Sequence, residues 1–181
     1  MNSMESIKYV QGDATRPQGT GAKIIAHCCN TSGAWGRGFV LALSRRWSLP
    51  ERAYRSWHGA GAIAMTISHF GKTINVPVSF SLGEVQVVTV EHNHLYVANL
   101  IGQEGIRPDN KGRAPVRYDA IRQGLKHVGY YATQLELSVH MPRIGAGLAG
   151  GRWDEITRII ADELTSRGVS VTVYDLPLAA R

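Results

Sequence analysis

The chain has 181 residues, 44% hydrophobic and 19% charged, which suits one folded domain and is too apolar for a disordered one. Its net charge of +6 comes mainly from arginine, a weak pointer to anionic partners, and apart from Arg45-Arg46 the basic residues are scattered as on a solvated surface. The polar start Met1-Asn2-Ser3-Met4-Glu5 does not resemble a secretory signal and no apolar run approaches the ~18 residues of a membrane span, while the neighbouring Cys28 and Cys29 cannot staple distant segments, so a cytoplasmic domain with no membrane contact is expected.

Along the chain the apolar period alternates between strand and helix. Strands are expected over Ile7 to Val10 and Ile24 to Cys28, then helices over Phe39 to Trp47 and Glu51 to Trp57. Ala60 to Ser81 mixes Gly, Thr, Ser and apolar residues without a clean period and reads as an irregular insertion. Two strands follow, Val85 to Val90 and Leu95 to Leu100, separated by His92-Asn93-His94, which is a polar hairpin turn despite spelling the letters of a nuclease motif. Glu104 to Ala114 is a polar Pro/Gly/Asp/Arg segment with the composition of a mobile loop. A helix over Pro115 to Ala132, a strand over Leu137 to Met141, a helix over Trp153 to Arg167 and a strand over Val169 to Tyr174 complete the pattern. Near-continuous apolar strands such as Ile24-Ile25-Ala26 require burial on both faces, so the expected fold is a three-layer α/β/α domain around a mixed sheet, spanning 1–181.

Two glycine-rich segments stand between strand and helix: Gly33-Ala34-Trp35-Gly36-Arg37-Gly38 and Gly145-Ala146-Gly147-Leu148-Ala149-Gly150-Gly151. Strand, glycine loop and helix in that order present backbone N–H groups and a helix N-terminus to phosphate oxygens. Each alone reads equally as a tight turn; two together imply a diphosphate. Gly145, Gly147 and Gly150 also imitate a dinucleotide fingerprint with Asp175 downstream, but six residues after Asp175 leave no room for the remaining strands of that fold. No GxxxxGK[ST] phosphate loop occurs. His27-Cys28-Cys29 is not a zinc set, because consecutive strand residues face opposite ways. No metal and no cofactor are expected.

Taken together, Ile7 to Asp13, Ile24 to Asn30, Gly36-Arg37-Gly38, Met141 to Leu148 and Val171 to Tyr174 resemble a macrodomain over nearly the whole chain. The nearest branch is the one holding the human terminal ADP-ribose protein glycohydrolase and the yeast ADP-ribose-1″-phosphate phosphatase. That resemblance implies ADP-ribose as ligand. Asp13, beside Ala14, would receive the adenine amino group, with Tyr174 near the base. Gly36, Arg37 and Gly38 with Ile144, Gly145, Ala146, Gly147 and Leu148 would wrap the diphosphate. A turn or strand-end cap is the competing role for Asp13.

The chain departs from the glycohydrolase pattern where a lysine and an aspartate would stand, having Gln103 and Ala149 instead, so a covalent lysine mechanism is not carried over. His27 matches the functional histidine of the yeast phosphatase type and is the first catalytic candidate, as acid or base. Asn30 would offer its amide to the distal ribose and Gln103 would orient water. The implied activity is removal of mono-ADP-ribose from a modified protein or nucleic acid; phosphatase action on ADP-ribose-1″-phosphate and non-catalytic reading of ADP-ribose stay open beside it.

Overall fold

The computed structural model describes residues 6–178, so the N-terminal Met1 to Glu5 stretch lies outside the described residues. In chain order these form β1 (Lys8–Gln11), β2 (Lys23–Asn30), α1 (Phe39–Arg46), α2 (Leu49–Ala60), β3 (Ala62–His69) and β4 (Lys72–Ser79). There follow β5 (Val85–Glu91), β6 (Leu95–Gln103), α3 (Tyr118–Leu135), β7 (Ser138–Met141), α4 (Trp153–Glu163), a 3₁₀ turn (Thr165–Arg167) and β8 (Val171–Asp175). Six strands make one mixed sheet in the order β1-β8-β7-β2-β6-β5, parallel except where β5 runs against β6.

Both faces of that sheet are covered. Neighbouring residues of β6 show it directly: Asn99 donates through Nδ2 to the Pro50 carbonyl of α2, whereas Leu100 lies against Gly124 of α3. Ile24, Ile25 and Ala26 of β2 are accordingly fully buried. A strand shielded on both sides must be apolar throughout, which is why these strands show no alternation. Because the chain leaves β2 toward β6 on one side and returns to β7 on the other, the carboxyl end of β2 is the topological switch point where loops part and a crevice opens.

Residues 60–81 are not irregular. They form the β3–β4 hairpin, a separate two-stranded sheet that packs on α2 and β5. Ile63, Met65, Ile67 and His69 alternate with more exposed neighbours in β3, as do Ile74, Val76 and Val78 in β4, and the Trp57 indole donates to the Val78 carbonyl at 3.1 Å. Three features hid the pattern: alanine at outward positions of β3, Pro77 within β4, and a Phe70-Gly71 turn in which Phe70 takes φ 43°. The turn between β5 and β6 does fall on His92-Asn93-His94, with Asn93 at φ 57°. Among the described residues no helix is long and apolar enough to cross a membrane.

Gly124 lets α3 lie directly on β6, since a Cβ there would stand 2.3 Å from Leu100 Cγ. Gly124→Ala is therefore expected to cost about 1–3 kcal/mol through overpacking. Thermal denaturation should show a lower melting temperature; an unchanged value would mean that helix and sheet separate without penalty.

Candidate functional site

Asn30, the last residue of β2, builds the first glycine loop. Its Oδ1 accepts the backbone N–H groups of Ser32 at 3.0 Å and Ala34 at 3.1 Å and the Tyr54 hydroxyl at 3.0 Å, and its Nδ2 donates to the Ala34 carbonyl at 2.8 Å. Trp35 is pinned in turn by its indole N–H to Ser44 Oγ at 2.8 Å. The loop then releases into α1 at Gly38, whose φ of 79° favours glycine. The second loop leaves β7 and closes on itself: the Gly151 N–H donates to the Gly145 carbonyl at 2.8 Å, and a Cβ at 151 would lie 2.4 Å from that oxygen.

The two loops face each other across a continuous cleft. A cavity of about 470 Å³ is lined by Cys28, Cys29, Asn30, Arg37, Gln103 and Arg107 among others, and a smaller one of about 240 Å³ by His27, Gly38, Phe39, Pro142, Arg143, Ile144, Gly145 and Gly147 among others. Cys28, Arg37, Gln103 and Leu148 belong to both. Leu148, 66% exposed, reaches from the second loop to within 3.5 Å of the position a Cβ on Gly38 would occupy. The only charged side chains lining either cavity are arginines, Arg37, Arg107 and Arg143. Such a cleft attracts anions.

Gln103 ends β6 in register with Asn30, so these two expected site residues stand side by side on neighbouring strands. Gln103 Nε2 donates to the Gly105 carbonyl at 3.0 Å, which leaves Oε1 on the Cys28 side, 4.0 Å from the sulfur. Asn30 keeps one amide hydrogen beyond the one given to Ala34. Burial pushes the Cys28 thiol up to about 12, so it is no thiolate nucleophile at neutral pH.

His27, the first catalytic candidate of the sequence, borders the smaller cavity. It is 1% exposed, wedged against Trp35 and Phe39 at centroid distances of 5.3 Å and 5.9 Å, and its Nε2 meets Asn99 Oδ1. Asn99 Nδ2 is donating to Pro50 and to Gln86 Oε1 at 3.1 Å, so its oxygen must accept and His27 carries its proton on Nε2. Burial lowers the imidazole from 6.5 to about 4. Burial thus keeps the imidazole neutral at the wall of the smaller cavity.

Asp13 and Ala14 lie beyond the end of β1, three strands from β2, about 14 Å at ~4.8 Å per strand. Asp13 Oδ1 accepts from the Thr15 amide and hydroxyl, each at 2.8 Å, so a turn role is real there. Tyr174 is 4% exposed, with its hydroxyl accepting from the Gln18 amide at 2.8 Å and lying 2.8 Å from His140 Nδ1. Unsuspected from the sequence are Asn99, hidden mid-strand, and the Arg143–Asp175 ion pair, whose partners stand 32 positions apart. Among the described residues no group of three or more His, Cys, Asp or Glu side chains is arranged to hold a metal.

A mixed sheet flanked by helices, with two glycine loops at its switch point, defines an α/β domain with an arginine-lined cleft. No family model matches the chain. It is, however, 49% identical to a macrodomain protein from Streptomyces coelicolor, with a TM-score of 0.75 over 94% of this chain and 99% of that one. The chain belongs to the macrodomain family. It is 32% identical to the zebrafish chromodomain-helicase-DNA-binding protein 1-like over 93% of its own length, but spans only 15% of that protein. It is 26% identical to the ADP-ribose 1″-phosphate phosphatase of Saccharomyces cerevisiae over 96% of this chain and the whole of that protein.

Burial also lowers His140 from 6.5 to about 4. With both folded values depressed, the unfolded chain binds more protons between pH 6.5 and 4, so stability is full above about 6.5 and falls as pH drops toward 4. Denaturant midpoints measured across that range should decline, and less steeply in His27→Gln, which cannot titrate; equal slopes would mean that His27 is not neutral in the fold.

Proposed function

We propose that the chain binds ADP-ribose in this cleft and hydrolyses the bond at its distal ribose, releasing mono-ADP-ribose from a modified protein or nucleic acid in the cytoplasm. The observation that carries the reading is the convergence of both glycine loops on a cleft that ends at Asn30 and Gln103. Loop N–H groups with Arg37 and Arg107 suit the diphosphate, the spare Asn30 amide hydrogen suits a ribose hydroxyl, and Gln103 Oε1 suits an attacking water. With Gln103 and Ala149 at the positions discussed above no lysine attacks; water bonds directly to the anomeric carbon as the bond to the carrier breaks, and the proton it loses passes through solvent to the departing group. Positioning and fixed dipoles then supply the acceleration. The two free cysteines suit a reducing compartment.

A second reading has its own support: neither cavity is lined by a carboxylate or a lysine, which suits a reader that holds ADP-ribose without chemistry. Incubation with ADP-ribosylated protein, ADP-ribosylated DNA and ADP-ribose-1″-phosphate, followed by detection of free ADP-ribose, separates these. Release from either macromolecule is expected. Release only from the 1″-phosphate makes the chain a phosphatase, and binding without release makes it a reader. Gln103→Ala should lower turnover by about 10- to 10⁴-fold with ADP-ribose affinity kept within a few-fold, the mark of lost transition-state stabilisation. His27→Ala should instead lower melting temperature and binding together.

A further inference from the structure

Tyr174, which the resemblance puts near the base, is buried at the end of β8. Another group stands at that end, where β1, β7 and β8 finish. Arg143 follows β7 and makes two parallel bonds to Asp175 at the end of β8, Nε to Oδ1 at 2.7 Å and Nη2 to Oδ2 at 2.9 Å. Its guanidinium carbon lies 5.4 Å from the Tyr9 ring centroid and 5.2 Å from that of Trp153, and the Trp153 indole N–H donates to the Tyr9 hydroxyl at 3.2 Å. That bond ties the two rings to each other next to the cation. The Asp175 carbonyl accepts the Gly12 N–H at 2.9 Å, one residue before Asp13, and Arg143 itself borders the smaller cavity. Although clamped in this way, the Arg143 side chain remains 43% exposed.

We propose that the Arg143 guanidinium is the plane on which the base of the bound nucleotide stacks, with Asp175 fixing its orientation and Tyr9 and Trp153 supporting it. This rests on the ADP-ribose reading above and adds the residue that grips the base. A guanidinium is planar and weakly hydrated and stacks readily on π systems, and a bidentate carboxylate removes the rotation that would blur its plane. Stacking does not distinguish one purine from another, whereas a carboxylate at Asp13 reads the exocyclic amine. The two residues divide the work: Arg143 supplies affinity for any purine, Asp13 the choice of adenine.

Calorimetric titration with ADP-ribose, inosine diphosphate ribose and the base-free ribosyl diphosphate ribose tests the division. Arg143→Lys, which keeps the positive charge at the cavity edge, should weaken both purine ligands by the same factor, about 5- to 20-fold, and leave the base-free ligand within two-fold, whereas Arg143→Ala should weaken the purine ligands by a larger factor than the base-free one. Asp175→Asn should show a smaller loss in the same pattern. Melting curves check folding, and Arg143→Lys, which retains the ion pair, carries the comparison if Arg143→Ala is unstable. Unchanged purine affinity in a folded Arg143 variant, an equal loss on the base-free ligand, or a lysine that restores wild-type binding would overturn the stacking role while leaving ADP-ribose binding intact. Wild-type protein that binds none of the three overturns both.

Discussion

The cleft depends on how α2 is held against the carboxyl half of β2, and a line of buried amides holds it. His27 donates to Asn99, Asn99 donates to the Pro50 carbonyl and to Gln86, and Gln86 Nε2 donates to the Ala53 carbonyl at 3.0 Å. Three strands, β2, β6 and β5, are thus joined to two carbonyls about one turn apart on one helix. Each of these side chains is buried, and a buried amide left without a partner costs about 1–3 kcal/mol, so the line is all but obligatory once formed. Apolar packing alone would let α2 slide; directional bonds do not.

The consequence travels to the first glycine loop through one residue. Tyr54, fully buried in α2, donates to the backbone and side chain of Asn30, and Asn30 gathers Ser32 and Ala34. The loop is therefore shaped before any ligand arrives, and less ordering entropy opposes binding. A single aromatic network, Trp35 to Tyr54 to Phe80 to Trp57, extends the same support outward to the hairpin. The hairpin, remote from the cleft in sequence terms, thus backs the helix that shapes it.

How much of this was legible in the sequence depended on whether the signal was local. The parallel strands announced themselves because burial on both faces makes Ile24-Ile25-Ala26 uniformly apolar, and the glycine loops because strand, glycine and helix follow one another directly. The hairpin was hidden by Pro77 and by Phe70 in a position usually taken by Asn or Gly. His27 was visible as a residue but not as an environment: the position of its proton comes from Asn99, 72 positions away and unremarkable in its own strand, and its depressed basicity from burial, which outweighs that hydrogen bond. Arg143 and Asp175 were likewise visible separately, while their pairing exists only because β7 and β8 are neighbours.

The glycines themselves separate into two kinds, and the difference bears on function. Gly145 and Gly151 are demanded by the chain: one has φ 70°, and the other abuts a carbonyl that a methyl group would strike. Gly36 and Gly147 are demanded by nothing in the protein. Neither has a positive φ, and a Cβ on either would meet no atom within 4 Å. Glycine at such a position weakens the fold slightly, because the unfolded chain gains freedom with no steric return in the folded one, about 0.5–1 kcal/mol relative to alanine in regular structure. Both positions line the cleft. A cost with no internal benefit, on two glycines that line the cleft, leaves the main chain there open to close approach, which fits the ligand proposed above.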